Sequence, residues 1–444
     1  GGLAGDALTT GTRNVAIGFG ALSAEDTGSN NVAIGHQALV VADAGADAYN
    51  VAIGSNAGGA VTTGLANTLV GGLAGDALTT GQSNVALGYN ALGANITGSS
   101  NVALGKDALE FNTRSGGNIA IGDRALEDVN PANDGNWYNI GIGHHAGRDI
   151  STGNNNTVIG GLSGDALTIG VRNVAVGTYT LSNDIEGSGN VAIGYESLLN
   201  QQTTGNGSAQ LTYNTAVGDS TGKLITTGVE NTLIGGLAGD ALTTGHFNVA
   251  VGYLALSAED DHGRNVAVGK GALQLLNAGA DGYNTAVGNL AGTAMTTGTY
   301  NTTIGGAAGD SLTTGTANTV LGAEALQTED TTSFNTAIGS QALKVQDGGS
   351  NNTAVGRQAG LDVTTGSNNT MIGSGALDDL TEGVNNVALG QGAGNTVTTG
   401  SNNVYLGRAA VASSSSVNSE IVIGEGLTGL GAGTTRIGGN IQIS

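Results

Sequence analysis

The sequence predicts an all-β fold: a parallel β-solenoid, or β-roll, of about 24 coils with a 17-residue repeat. Three observations lead to this fold class. The motif Asn14-Val15-Ala16-Ile17-Gly18 returns along the whole 444-residue chain, and a last copy starts with Glu420. Of the 23 intervals between the 24 copies, 19 have the same 17-residue length. Aliphatic residues alternate at fixed positions within each copy. A repeat this regular is typical of stacked coils that bury a shared core.

The motif itself reads as a short strand followed by a turn. With Asn as position 0, position +1 is Val, Thr or Ile, position +3 is Ile, Val or Leu, and position +4 is Gly in every copy. Positions +1 and +3 lie on one face of a strand and +2 on the other. β-Branched residues favour strand over helix. The Gly at +4 indicates a turn that needs a positive φ or a close backbone approach.

The rest of each coil predicts a second short strand at about +6 to +9. Position +7 is small, as in Ala21, Ser163 and Thr180, and Thr-Gly pairs such as Thr10-Gly11 turn the chain back. Two short strands per coil are therefore expected. A change of coil length follows near the end, where Thr435-Arg436-Ile437-Gly438 comes early.

The Asn column has two interpretations. Its amides can cap turns and bond to the Asn of the neighbouring coils, or they can form a column of ligand or metal sites. Amides alone are weak metal ligands, so we interpret the column as structural. Representative members are Asn14, Asn31, Asn84, Asn101, Asn173, Asn248, Asn318 and Asn369.

The strand motif is apolar on both faces, and such strands are usually covered on both. The Ala side can close a narrow interior. The Val and Ile side then forms a stripe that is too long for a monomer to expose. We therefore predict obligate self-association along the axis of the solenoid.

Four intervals are longer than this period, which places insertions near 40–49, 127–138, 199–213 and 274–283 in a continuous shaft over 1–411. Residues 412–444 form C-terminal transition coils in this prediction. Insertions in a solenoid bulge from its surface, where binding residues are often found. The candidate surface-binding residues are Trp137, Tyr138, Tyr49, Tyr283, Gln201 and Gln202. Trp137 and Tyr138 either stack on a sugar or cover the apolar edge of the coil.

Composition excludes several classes of function. The formal charge is −22 without basic patches, which argues against nucleic-acid binding. No apolar run is long enough for a spanning helix, so no membrane insertion of this segment is expected. The chain has no Cys, its five His are scattered, and spacing places no acidic partner beside His144-His145. We expect no enzyme, no catalytic residues, no cofactor and no metal site.

The repeat Asn-Val-Ala-Ile-Gly-x-x-Ala with Thr-Gly turns resembles the YadA-like head repeats of trimeric autotransporter adhesins. It resembles equally the repeat shafts of bacteriophage tail-fibre proteins that carry a C-terminal intramolecular chaperone. The resemblance covers nearly the whole chain and implies a homotrimer of left-handed parallel β-rolls. The adhesin heads favour a shorter coil than the 17-residue coil of this chain. Residues 434–444 resemble the segment before such a chaperone, and Ser444 is then expected to be a mature C-terminus.

The expected function is that of a non-enzymatic structural fibre, tail-fibre-like or adhesin-like, for spacing and surface attachment. The expected location is extracellular, on a cell surface or a virion, with a glycan or cell-surface receptor as possible partner. The alternative is an ice-binding β-solenoid that uses a Thr-Thr-Gly ladder, as in Thr9-Thr10-Gly11.

Overall fold

The computed structural model describes residues 1–203, 207–328 and 331–438. The predicted end at Ser444 and residues 204–206 of the third insertion lie outside the described residues. The chain divides into two compact units, 1–229 and 230–444. Each unit is a parallel β-solenoid with the predicted 17-residue spacing in its regular coils, and the described residues contain no helix. No described segment is therefore a helix that could span a membrane.

The strands are numbered in chain order. In the first unit they are β1 (Val15–Ile17), β2 (Val32–Ile34), β3 (Val51–Ile53), β4 (Thr68–Val70), β5 (Val85–Leu87), β6 (Val102–Leu104), β7 (Ser115–Gly116), β8 (Ile119–Ile121), β9 (Gly135–Asn136), β10 (Ile140–Ile142), β11 (Thr157–Ile159), β12 (Val174–Val176), β13 (Gly187–Ser188), β14 (Val191–Ile193), β15 (Gln210–Leu211) and β16 (Thr215–Val217).

In the second unit they are β17 (Thr232–Ile234), β18 (Val249–Val251), β19 (Val266–Val268), β20 (Thr285–Val287), β21 (Thr302–Ile304), β22 (Thr319–Leu321), β23 (Thr336–Ile338), β24 (Thr353–Val355), β25 (Thr370–Ile372), β26 (Val387–Leu389), β27 (Val404–Leu406), β28 (Ile421–Ile423) and β29 (Thr435–Ile437).

Strands stack in parallel with matching motif positions opposite each other. Val15 pairs with Val32, Ala16 with Ala33 and Ile17 with Ile34, and the same register continues within each unit. Insertions do not shift it, since β14 still pairs with β16 across the longest one. The insertions add short ladders instead: β7 pairs with β9, and β13 with β15. The coil before β29 is shorter than the others, yet Ile421 still pairs with Thr435.

The predicted second strand at +6 to +9 is wrong, because each regular coil has one three-residue strand and turns elsewhere. The reason is backbone conformation. Gln37 at +6 and Leu39 at +8 have φ of 56° and 47°, whereas a strand needs φ near −120°. Coils are still joined there by backbone hydrogen bonds, such as that from Leu39 N to Ala57 O at 3.1 Å.

The core is a thin column inside each coil. The residue at +2 is fully buried in most coils, as are the small residue at +7 and Leu at +8, for example Ala33, Ala38 and Leu39. Large and small core residues pack against each other. The fully buried Tyr405, for example, occupies the space that a Cβ on Gly394 would enter. The Gly at +4 meets both predicted needs. Gly88 has φ of +145°, and a Cβ there would clash with the carbonyl of Gly105.

Candidate functional site

The most extensive candidate surface is the outer face of the strands, formed by the side chains at +1 and +3, which we call the β-face. The residue at +2 points inwards, and the flanking residues stay open. Ile17 is 56% exposed and Leu87 49%, whereas Ala86 between Val85 and Leu87 is fully buried. This is the two-sided arrangement predicted from the motif, with Ala as the inner residue.

The β-face carries no charge. None of the residues at +1 and +3 in the described strands β1 to β29 is acidic or basic, in a chain with 35 acidic and 13 basic residues. Charged residues do occur at the borders of the face, for example Asp123 and Lys270 at +5 and Arg264 at −1. Charged residues thus border the β-face but do not enter it.

The β-face is also large. Its side chains are half-buried to exposed, so each coil presents on the order of 100 Å² of apolar surface, and each unit on the order of 1,000 Å², against about 300–600 Å² for the largest patch on a typical monomer. A surface of this size, without charge, is typical of a site that binds another protein.

In the second unit, part of the β-face carries the hydroxyl groups of Thr side chains. Six consecutive strands, β20 to β25, have Thr at +1 and keep Ile, Val or Leu at +3. The six pair in register: Thr285, Thr302, Thr319, Thr336, Thr353 and Thr370. Thr has nearly the shape of Val, so the strand is unchanged while one column gains hydroxyl groups. This row was not predicted from the sequence, because Thr and Val both occur at +1 throughout the chain.

The first Thr of the Thr-Thr-Gly column, at position −5, in contrast uses its hydroxyl group to join coils. Thr79 Oγ1 donates to Ile96 O at 2.9 Å, and Thr168 Oγ1 donates to Ile185 O at 3.0 Å. Equivalent bonds recur in the second unit, as from Thr381 to Thr398. These hydroxyl groups are engaged by the backbone of the next coil.

The Asn column is buried and bonds from coil to coil. The amide Nδ2 of Asn84 donates to Gly98 O at 2.9 Å, and its Oδ1 accepts from the backbone N–H of Asn101 at 3.0 Å. The eight predicted members are each joined to the next coil in this way by Oδ1, and the same holds for most of the column. The column closes at Glu420, whose carboxylate accepts from Ser413 N and Gly431 N. Asn31 and Asn190 have an Nδ2 without a hydrogen-bond partner within the described chain, but an amide Nδ2 is a donor and not a metal ligand, so the bonded column does not favour a metal site.

All four insertions end in Tyr at position −1: Tyr49, Tyr138, Tyr213 and Tyr283. Each has a positive φ, between 49° and 54°, and exposes about half of its side chain. The structure thus places the predicted Tyr49, Tyr138 and Tyr283 at equivalent positions and adds Tyr213, which sequence reasoning missed. The shared Tyr-Asn ending was the signal that could have found it.

Three of these Tyr rings contact a neighbouring coil on one side. An edge of the Tyr138 ring lies against Gly117, and an edge of Tyr213 against Gly189, since a Cβ on either Gly would meet Cδ1 and Cε1 at 3.1 Å or less. Tyr283 stacks on Tyr300 with centroids 5.2 Å apart. Trp137 is half-buried, and its backbone is bonded to Gly116. These contacts cover part of the coil edge and leave about half of each Tyr side chain exposed, so sugar stacking and edge covering both stay open as interpretations.

Gln201 is not a surface residue, and that prediction is wrong. Its side chain is fully buried and donates to Asp184 Oδ2 and Thr212 Oγ1, both at 3.1 Å. Thr203 of the same insertion also donates to Asp184, at 3.0 Å, so Gln201 and Thr203 together satisfy a buried carboxylate. Burial raises the pKa of Asp184 to about 6. Gln202, one residue on, is exposed.

A cleft of about 200 Å³ lies beside the second insertion. It is polar, and neither Trp137 nor Tyr138 lines it; its walls are Thr97, Ser99, Arg114, Gly116, Asp134, Gly135 and Asn136. The short ladder between β7 and β9 brings these residues together from three coils. No spacing rule in the sequence connects Arg114 with Asp134.

Buried acids mark the first and fourth insertions. Glu25 and Glu259 occupy equivalent positions, both fully buried, where the coil before Glu259 has Leu242. Glu259 accepts from the backbone N–H groups of His262 and Ala278, and burial raises its pKa to about 7. These carboxyl groups anchor the turn and the insertion to each other.

No protein-family model matches this chain, and no curated protein is significantly similar to it. Its function must therefore be argued from its own residues.

Proposed function

We propose that this chain is a non-enzymatic structural protein that associates with copies of itself through the β-face. The assembly is a homotrimer of left-handed rolls that acts as an extracellular spacer on a cell surface or a virion. The insertions and chain ends carry attachment to a receptor. The resemblance to adhesin heads and tail-fibre shafts supports the trimer and the location.

The observation that supports self-association is the uncharged β-face. Burying apolar surface contributes about 25 cal/mol per Å², and a buried charge without a partner would cancel several such contacts. A chain with 35 acidic and 13 basic residues that places none of them at +1 or +3 in its described strands matches a surface kept free for burial. A second copy is the occupant with the same 17-residue period, so each coil of one copy can meet a coil of the other.

The test is to place charges in the β-face. Leu87→Lys and Leu104→Lys together put two charges on adjacent coils of β5 and β6. The matched control is Thr80→Lys with Thr97→Lys, two exposed residues with the same 17-residue separation outside the β-face. Size-exclusion chromatography with light scattering should show a lower mass for the first pair only, and circular dichroism should show both pairs folded. An unchanged mass for both pairs would show that the β-face is not the interface.

Ice binding is the second candidate, and one observation favours it. The row of six Thr at +1 on strands β20 to β25 is regular and faces outwards, so it would order water alongside the exposed second Thr of the Thr-Thr-Gly column. Thermal hysteresis of the purified chain and of Thr319→Val with Thr336→Val tests this. Hysteresis that the double variant loses would support ice binding, and its absence in the parent chain would reject it.

A further inference from the structure

We propose that Asp123, His144 and His145 bind one divalent transition-metal ion. Such a site goes beyond a scaffold function and needs only one copy of the chain. The ion would tie the coil that follows the second insertion to the coil that precedes it.

The cluster exists because of the register of the solenoid. Asp123 and His144 both occupy position +5, in the consecutive coils of β8 and β10. The insertion lengthens the interval between them beyond the regular period, so no regular spacing reveals them as neighbours. Pairing of β8 with β10 brings them together, and His145 N donates to Asp123 O at 3.0 Å. The backbone therefore fixes the relative positions of the three side chains.

The donor atoms are close enough to share one ion. One atom from each of the three side chains lies within 4.8 Å of the other two. His144 Nε2 is 3.7 Å from Asp123 Oδ2, and the two imidazole rings stack with centroids 3.8 Å apart. Ligands at about 2.0–2.2 Å from one ion are about 3 Å apart. Because the lone pair of an imidazole nitrogen lies in the ring plane, the two stacked rings must turn out of their parallel arrangement to face one ion, which side-chain rotation at these partly exposed residues permits.

The chemistry of the donors selects the class of ion. Two imidazoles and a carboxylate suit Zn²⁺, Ni²⁺ or Co²⁺, whereas Mg²⁺ and Ca²⁺ prefer oxygen ligands. At pH 7.5 an ordinary imidazole is mostly neutral and offers a lone pair. Asp123 adds a second observation: its Oδ1 is shielded from solvent and has no hydrogen-bond partner among the described residues. A metal ion would give the carboxylate a partner.

Nearby cations are compensated by carboxylates. Arg148 binds both oxygens of Asp149, at 2.6 Å and 3.0 Å. Arg124 lies between Asp107 and Glu127, at 3.8 Å and 3.7 Å. One contact competes with the ion, because Arg148 NH1 is 3.4 Å from His145 Nδ1.

Titration calorimetry with ZnCl₂ at pH 7.5 tests the proposal on chain without a polyhistidine tag. We expect one ion per chain, and at least ~10-fold weaker binding for His144→Ala and for Asp123→Asn. His36→Ala is the matched control, since His36 also occupies +5 but stacks on Phe19. It should leave affinity unchanged, and Arg148→Ala should leave it unchanged or raise it.

Visible absorption of the Co²⁺-loaded chain gives a second readout, because d–d bands report coordination directly and do not depend on stability. The bands should be lost in His144→Ala and kept in His36→Ala. The proposal is overturned if the parent chain takes up no Zn²⁺, or if His144→Ala and Asp123→Asn bind as tightly as the parent. Light scattering on the same samples shows whether self-association, a separate claim, holds.

Discussion

Removing one amide from the Asn column tests the interpretation that this column holds the coils together. In Asn173→Ala two backbone groups lose their partners. Gly187 O no longer accepts from Nδ2, a bond of 2.8 Å, and the N–H of Asn190 no longer donates to Oδ1, a bond of 2.9 Å. Both bonds are buried, so water does not replace the amide.

The size of the effect follows from these two groups. A buried donor or acceptor left without a partner costs about 1–3 kcal/mol, so the pair costs roughly 2–6 kcal/mol. A cost of about 3 kcal/mol, in the lower half of this range, makes local opening roughly 100-fold more frequent, since 1.4 kcal/mol is a factor of ten. The cost should be local, because each coil of a solenoid contacts only its neighbours.

Hydrogen exchange followed by mass spectrometry measures this coil by coil, which a single unfolding transition of a long repeat array does not. Peptides covering 170–193 should exchange roughly 100-fold faster, and peptides several coils away should not change. The matched control is Asn183→Ala in the same coil, whose exposed side chain donates to Asn200 Oδ1. If both variants change the exchange rate of these peptides equally, the Asn column does not hold the coils together.

Three further predictions concern other parts of the coil. Burial raises the pKa of Glu259 from about 4.5 in the unfolded chain to about 7, so the contribution of this carboxyl group to the stability of its coil should be complete below about pH 4.5 and be lost, by up to ~3 kcal/mol, as pH rises through 7; hydrogen exchange of this coil in Glu259→Gln should lack that part of the pH dependence. Gly88→Ala should destabilise its coil by several kcal/mol, because the φ of +145° and the carbonyl of Gly105 both oppose a Cβ. Unchanged hydrogen exchange at 85–105 would contradict this. Tyr405→Ala should cost about 3–5 kcal/mol through the cavity it leaves, read from exchange at 388–424; a loss under about 1 kcal/mol would mean that the core repacks.

The period and the direction of the side chains could be predicted from the sequence because a strand alternates strictly. A fixed alternation of Val, Ala and Ile places Ala in the interior, and a 17-residue period places each Asn over the next. The second strand could not be predicted correctly. Leu and Gln rarely adopt a positive φ. The identities of Gln37 and Leu39 therefore do not predict the turn that they form in the stacked coils.

Contacts at the insertions were equally hidden, for a different reason. Insertions of different length break the simple arithmetic of the period, so the neighbourhood of Asp123 and His144 and the burial of Gln201 appear only once the coils are stacked. Tyr213 was missed because its insertion lacks the Ala-Gly-Ala-Asp segment that drew attention to Tyr49 and Tyr283. The positions of strands are thus set by local pattern, and the sites between coils by tertiary pairing.

The central claim is that the β-face is covered by other copies of the same chain. Sedimentation equilibrium of the unmodified chain at physiological salt measures this most directly, since the mass it gives does not depend on shape. With a chain mass of 43.2 kDa, we predict a single species of three times that mass that persists on dilution. A species of 43.2 kDa across the same concentrations would contradict the account.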